Sequence, residues 1–150
     1  MAAGGITMKL REIMTDKIVG IDPRESVAVA ARTLARHNIG VLPVCTADGR
    51  LCGIVTDRDL VTRCIAAGKR PEATTVREIM TSAVVTASPD TDTVAAAWLM
   101  GQRQIRRLPV LENGRLCGLV SLGDLANRQE TAGDATGALS GISSNVSVRQ

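Results

Sequence analysis

The chain carries the same pattern twice, and this internal repeat constrains its fold more than any other feature of its 150 residues. Residues 11–15 and 77–81 both read Arg-Glu-Ile-Met-Thr. After a one-residue deletion, Gly-Arg-Leu-Cys-Gly recurs at 49–53 and 114–118, and 21 of 49 aligned positions are identical. The repeat predicts two homologous units that pack together, because repeat units of this kind do not bury their apolar faces alone.

The repeat also divides the chain into predicted domains. Repeat 1 covers residues 8–68, and repeat 2 covers residues 76–128. Residues 69–75 form a predicted linker that contains Pro71. Residues 129–150 are rich in Gly, Ser, Ala and Asn and have no periodic apolar face, which predicts a flexible tail.

Apolar periodicity and turn signals predict an α/β (α+β) fold, with the order helical turn, strand, helix, strand, strand, helix in each repeat. In repeat 1 the predicted elements are a strand at Ile18–Ile21, a helix from the Ser26 cap to His37, hairpin strands at Val41–Cys45 and Leu51–Val55, and a helix at Asp57–Ala67 closed by Gly68. In repeat 2 they are a strand at Val84–Thr86, a helix at Thr93–Arg103, hairpin strands at Leu108–Leu111 and Arg115–Val120 joined through Asn113-Gly114, and a helix that ends near Arg128.

Composition narrows the classes of function. Trp98 is the only aromatic residue, which argues against the aromatic platforms that stack single-stranded nucleic acid. The net charge of +3 permits contact with nucleic acid without requiring it. No apolar stretch reaches about 18 residues, so we expect no membrane span. The first residues lack the basic-then-apolar pattern of a secretory signal, so we expect a cytoplasmic protein.

The residue types that usually carry chemistry are few. The four cysteines form no CxxC pair and there is one histidine, so the sequence predicts no metal site, no catalytic set and no enzyme. Cys52 and Cys117 recur at the same place in the two repeats, which favours small buried hydrophobes. His37 is predicted at the surface, at a helix end. Trp98 is interpreted as a core or dimer-interface residue, with ligand stacking as the alternative.

Each repeat places a hydroxyl residue and an acid where a strand meets a helix. Residues 53–59, the Thr56 motif, read Gly-Ile-Val-Thr-Asp-Arg-Asp, and residues 118–124, the Ser121 motif, read Gly-Leu-Val-Ser-Leu-Gly-Asp. A hydroxyl at a helix N-cap lies beside free N–H groups that attract anions. An aspartate three residues later can accept hydrogen bonds from two ribose hydroxyls. The alternative is that both pairs are helix caps and nothing more.

Together with the segments Ile39–Val44 and Ile105–Val110, these motifs resemble a tandem pair of cystathionine-β-synthase (CBS) domains, a Bateman module, over residues 8–128. The resemblance implies two βαββα repeats packed with pseudo-twofold symmetry. It further implies clefts between them that bind an adenosine compound as a regulatory ligand: AMP, ADP, ATP or S-adenosylmethionine. No other cofactor is implied.

The resemblance assigns roles to residues at the matching positions. Thr56 and Asp59 would hold the ribose or phosphate in one cleft, and Ser121 and Asp124 would do so in the other. The positions implied for the adenine are aliphatic and lie at Ile18, Val19, Val41, Leu42, Val84, Val85 and Leu108. The basic residues implied for phosphate are Arg58, Arg106 and Arg107, which suit it because a guanidinium donates two parallel bonds.

These observations lead to one functional expectation and an alternative. We expect a stand-alone regulatory module that senses adenosine nucleotides, forms a homodimer and acts through an unidentified effector protein or a change of oligomer. No effector domain is expected within 150 residues. The alternative is a nucleic-acid-binding protein or a ligand-free protein-interaction module.

Overall fold

The computed structural model describes residues 8–126, so the predicted tail at 129–150 and the end of the last predicted helix lie outside the described residues. The elements are a 3₁₀ turn (Leu10–Glu12), α1 (Val27–His37), β1 (Val41–Cys45), β2 (Leu51–Thr56), α2 (Asp57–Asp59) with a π-helical continuation (Leu60–Ile65), α3 (Val76–Ile79), α4 (Thr93–Arg103), β3 (Arg107–Glu112), β4 (Arg115–Ser121) and α5 (Leu122–Ala126). The fold class is therefore mixed, with two small antiparallel sheets, as predicted.

The described residues form two compact units that do not follow the order of the chain. The β1–β2 unit contains residues 19–84 and 114–116. The β3–β4 unit contains residues 8–18, 85–113 and 117–126. The chain thus passes from one unit to the other between Ile18 and Val19, and again between the equivalent residues Val84 and Val85.

The β1–β2 unit is built on one helix and one hairpin. Helix α1 begins at Ser26, whose Oγ accepts from the Val29 N–H at 3.1 Å, and it ends at Asn38 in the left-handed conformation. Strands β1 and β2 pair from Val41↔Thr56 to Cys45↔Leu51 with a bulge beside Val44. The core of this unit contains Ile21, Val27, Ala30, Leu34, Leu42, Val44, Val55, Leu60, Cys64, Val76 and Ile79.

The β3–β4 unit repeats this plan. Helix α4 begins at Asp92, whose Oδ1 accepts from the Val94 N–H at 2.7 Å. Asn113 (φ 56°) and Gly114 (φ 79°) form the hairpin turn, as the Asn-Gly dipeptide predicts, because a type I′ turn needs positive φ at both positions. The core of this unit contains Leu10, Ile13, Ala96, Ala97, Met100, Leu108, Val110, Val120 and Leu125.

Each unit is completed by the Arg-Glu-Ile-Met-Thr segment of the other repeat. Thr81 pairs with Ile54 of β2 through two backbone hydrogen bonds of 2.9 Å. In the same way, Thr15 pairs with Leu119 of β4 through bonds of 2.9 and 3.0 Å. The two segments therefore exchange between repeats. Each hairpin pairs with one residue of the segment that belongs to the other repeat.

Three predictions about elements were wrong in part. The predicted strands at 18–21 and 84–86 are reduced to single parallel bridges, Ile21↔Val44 and Ala87↔Val110, because the chain crosses between units there and only one residue reaches a strand edge. The helix predicted at 57–67 begins as expected but continues with five-residue hydrogen bonding, as in Ala66 N–H to Val61 O at 2.8 Å.

Three side chains lie nearer the surface than expected. Trp98 is 66% exposed, so its interpretation as a core residue was wrong. Cys52 and Cys117 contact the two cores but are half-buried, and Cys64 alone among the cysteines is fully buried. No helix in residues 8–126 combines the length and the apolar character that crossing a membrane demands.

Candidate functional site

In the Thr56 motif, the predicted hydroxyl and acid form a reciprocal cap at the start of α2. Thr56 Oγ1 accepts from the Asp59 N–H at 3.1 Å, and Asp59 Oδ2 accepts from the Thr56 N–H at 2.9 Å. The second oxygen of the carboxylate, Oδ1, lies 3.6 Å from Arg63 Nε, and the Asp59 side chain is 14% exposed. The capping interpretation of this pair is therefore correct, and it leaves one carboxylate oxygen outside the cap.

The Ser121 motif has the same geometry at the start of α5. Ser121 Oγ accepts from the Asp124 N–H at 3.1 Å, and Asp124 Oδ2 accepts from the Ser121 N–H at 2.8 Å. Within residues 8–126, no donor bonds to Asp124 Oδ1. In both motifs, therefore, the hydroxyl oxygen and one carboxylate oxygen bond to backbone N–H groups of the cap, and the second carboxylate oxygen lies outside it.

The glycine that opens each motif is required by packing within its unit. A Cβ at Gly53 would lie 2.6 Å from the Thr81 carbonyl oxygen and 2.9 Å from Met80 Sδ. A Cβ at Gly118 would lie 2.8 Å from Met14 Cγ. Each methionine belongs to the exchanged Arg-Glu-Ile-Met-Thr segment, so these glycines admit that segment against the hairpin.

The first residue of the helix in each motif is tied to the loop before the Pro-Val strand. The Asp57 N–H donates to Gly40 O at 3.1 Å, and the Leu122 N–H donates to Arg106 O at 3.2 Å. Arg107 Nη1 donates to the same Arg106 oxygen at 3.4 Å. Residues 40 and 106 therefore lie next to the two motifs.

The predicted phosphate-binding arginines are accessible. Arg58, Arg106 and Arg107 are all exposed. The Arg58 guanidinium forms no hydrogen bond or ion pair with the residues that the structure describes. The Arg58 side chain can therefore reach a ligand without first breaking an internal contact, whereas Arg107 would exchange its bond to the Arg106 carbonyl.

The predicted adenine-binding residues fall into two groups. Leu42 and Leu108 are 0% exposed and Val41 is 9% exposed, so neither leucine has surface accessible to a ligand in this structure. The others are half-buried and lie where the chain crosses between the compact units: Ile18, Val19, Val84 and Val85.

Sequence reasoning missed two contributors to the sites. Asp57 places a carboxylate beside Gly40, where a Cβ would lie 3.4 Å from Asp57 Oδ2. Arg63 Nη1 donates to the Ile79 carbonyl at 3.1 Å while its Nε approaches Asp59. The available signal for Arg63 was its spacing of four residues from Asp59 along a helix, which places the two side chains on one face.

The described residues contain no group of three side chains that could hold a metal ion. Burial raises the pKa of the Cys45 and Cys117 thiols above the ordinary value, which disfavours a reactive thiolate at these two positions. The Cys117 thiol instead lies 3.4 Å from the Val110 carbonyl as a weak donor.

Comparison with known proteins identifies the family. A family model described as "CBS domain" matches residues 10–65 and again residues 76–130. The CBS domain-containing protein YhcV of Bacillus subtilis is 38% identical over 134 residues, which are 89% of this chain and 94% of that protein. The chain belongs to the CBS-domain family, with two copies of the domain, as the resemblance implied.

Two solved structures extend the comparison. The crystal structure of Hypoxic Response Protein I with two coordinated zinc ions gives a TM-score of 0.75 at 32% identity and covers 81% of this chain and 98% of that one. The CBS domain pair of protein MJ0100, in complex with 5′-methylthioadenosine and S-adenosyl-L-methionine, gives a TM-score of 0.71 at 30% identity, covering 81% and 94%. CBS-domain pairs are regulatory modules, and stand-alone members are generally not enzymes.

Proposed function

We propose that this protein is a stand-alone regulatory module that binds adenosine compounds at the Thr56 and Ser121 motifs. The ligand class comprises AMP, ADP, ATP and S-adenosylmethionine. The bound state is passed on through a separate effector protein or through a change in self-association, as a shift between conformations that bind the ligand with different affinity.

The observation that supports this proposal most is that each motif leaves one carboxylate oxygen outside its cap. In Asp59 and Asp124, Oδ2 accepts from a backbone N–H and Oδ1 takes no part in the cap. An ionised carboxylate only accepts hydrogen bonds, so the remaining lone pairs suit the two donors of a ribose diol. The complex of the related MJ0100 pair with two adenosine compounds supports the same ligand class.

A thermal-shift series with AMP, ADP, ATP and S-adenosylmethionine, and GTP as a control, tests the ligand class. A ligand that binds only the folded state stabilises it by RT ln(1 + [L]/Kd), about 2.7 kcal/mol at a hundredfold excess over Kd. We expect a selective rise of Tm with an adenosine compound. A rise with none of them would contradict the proposal and favour an interaction module without a nucleotide.

Isothermal titration with Asp59→Asn and Asp124→Asn tests the residues. Asparagine keeps an acceptor for the capping N–H but removes the charge, so we expect ligand affinity at that motif to fall roughly 10- to 100-fold. Glu78→Gln is the matched control, because Glu78 caps α3 through the Thr75 N–H at 2.8 Å and belongs to neither motif. Unchanged affinity in both aspartate variants would refute the assignment.

We further propose that the protein forms a homodimer through α4. Val94 and Trp98, one helical turn apart, are 52% and 66% exposed, and exposed apolar side chains of this size are typical of protein interfaces. Repeat 1 has Arg32 at the position of Trp98, so Trp98→Arg is a substitution that the fold already accepts at the equivalent site. We expect this variant to be monomeric in light scattering, and an unchanged dimer would exclude α4 from the interface.

A further inference from the structure

The two motifs have equivalent caps, but the residues beside them differ in charge. In repeat 1 the five positions at the cap have two acids and one arginine, a net charge of −1 that Arg63, 3.6 Å from Asp59 Oδ1, offsets: Gly40, Val41, Asp57, Arg58 and Asp59. In repeat 2 the equivalent positions have two arginines and one acid, a net charge of +1: Arg106, Arg107, Leu122, Gly123 and Asp124. An adenosine compound therefore meets a different electrostatic environment at each motif.

Around the Ser121 motif, the Arg107 side chain bonds to a carbonyl that also accepts from the helix. The Arg106 carbonyl oxygen accepts both from the Leu122 N–H at 3.2 Å and from Arg107 Nη1 at 3.4 Å. Arg107 Nη1 therefore shares its acceptor with the N–H of the residue that follows Ser121. Gly123 leaves this side uncovered, since a Cβ there would lie 3.5 Å from Ser121 Oγ. Arg106 and Arg107 are both exposed, and a guanidinium matches the charge and geometry of a phosphate group.

Around the Thr56 motif, a carboxylate occupies the corresponding space. Asp57 Oδ1 accepts from the Arg58 N–H at 2.8 Å, and Asp57 Oδ2 points towards Gly40. The only positive side chain at the equivalent positions is Arg58, which two aspartates flank in sequence. A phosphate group placed here would face Asp57, whereas a ligand with a neutral or cationic 5′ substituent would not be repelled.

We propose that the two motifs select different adenosine compounds. The Ser121 motif binds a phosphorylated nucleotide through Arg106 and Arg107. The Thr56 motif binds an adenosine compound without a phosphate, such as S-adenosylmethionine, whose sulfonium cation is compatible with Asp57. This assignment rests on the proposed function and adds that each motif binds a different ligand. The protein would then respond to the concentrations of two metabolites.

The test exchanges charged residues between equivalent positions and measures affinity for AMP and for S-adenosylmethionine by isothermal titration. Arg107→Val gives repeat 2 the residue of repeat 1, and we expect AMP affinity to fall roughly 10- to 100-fold with S-adenosylmethionine binding unchanged. Asp57→Leu gives repeat 1 the residue of repeat 2, and we expect it to weaken S-adenosylmethionine binding and to admit AMP at a second site. Asp57→Asn repeats this test with a smaller change of shape.

The motif that each ligand uses is read from the cap variants. AMP binding that disappears in Asp124→Asn and persists in Asp59→Asn, with the reverse pattern for S-adenosylmethionine, supports the assignment. If the two ligands compete for one motif, or if neither charge exchange changes an affinity, the assignment of different ligands to the two motifs is overturned. The proposed binding of adenosine compounds would still stand. Absence of any adenosine binding in the unmodified chain overturns the proposed function, and this assignment with it.

Discussion

Ile13 and Ile79 test whether each exchanged segment completes the core of the unit in which it lies. The residues are equivalent in sequence, yet Ile13 lies in the core of the β3–β4 unit and Ile79 in that of the β1–β2 unit. They are 7% and 1% exposed. Replacement by alanine removes three carbon atoms, about 2.4 kcal/mol at roughly 0.8 kcal/mol per buried methylene. The residual cavity raises the expected loss to about 3–4 kcal/mol.

The global effect is measured by urea and thermal unfolding. For a chain of this size 1 kcal/mol corresponds to roughly 2–4 °C, so each variant should lose roughly 6–16 °C in Tm. The loss for Ile13→Ala should be the smaller of the two, because its side chain is less completely buried.

Native-state hydrogen exchange then locates the damage, since local openings report on individual cooperative regions. Ile13→Ala should lower protection in β3 and β4, and Ile79→Ala in β1 and β2. If Ile13→Ala instead lowered protection in β1 and β2, each repeat would be its own packing unit and the exchange described above would be refuted. A loss below about 1 kcal/mol in both variants would also contradict it.

Two further predictions concern packing and pH. Gly53→Ala would place a methyl group 2.6 Å from the Thr81 carbonyl oxygen, so we expect a loss of about 1–3 kcal/mol in urea unfolding; Gly118→Ala should cost less, because its methyl group meets a flexible methionine side chain. Arg11 donates to Asp90 at 2.6 Å and holds the pKa of Asp90 below its ordinary value of 3.8, so this stabilisation is present above pH 3.8 and is lost as the pH falls through the lower folded pKa. Asp90→Asn should therefore reduce the dependence of the free energy of unfolding on pH in the acid range. An unchanged dependence would show that the Arg11–Asp90 pair does not contribute to stability.

The sequence predicted the helices and hairpins well because their signals are local. The Ser26 cap, the apolar period of α1 and the Asn113-Gly114 turn each act within a few residues, and the structure confirms all three. The paired hydroxyl and acid of each motif were also predictable, because a capping box has a fixed spacing of three residues.

The remaining errors arose where tertiary context decides. The β-rich run at 18–21 was predicted as a strand, but the chain leaves one unit for the other there and can pair only through Ile21. The exchange of the Arg-Glu-Ile-Met-Thr segments has no local signal, since both copies are identical in sequence. A usable signal did exist for Trp98, because a position that holds Arg32 in the other repeat is an exposed one.

Because each motif serves as a helix cap, the proposed ligand binding would be coupled to local stability at the same atoms. Asp59 and Asp124 cannot be truncated to alanine without losing a cap, which costs about 0.5–2 kcal/mol, so a binding defect in such a variant would mix two effects. Asp57 and Arg107 take no part in the reciprocal bonds of either cap, so exchanging them leaves those bonds in place, although each exchange removes one other hydrogen bond. The same coupling offers a physical route for signalling: a ribose that engages Oδ1 of a capping aspartate restrains the first turn of the helix that follows, and that helix is where a bound ligand can alter the surface seen by a partner.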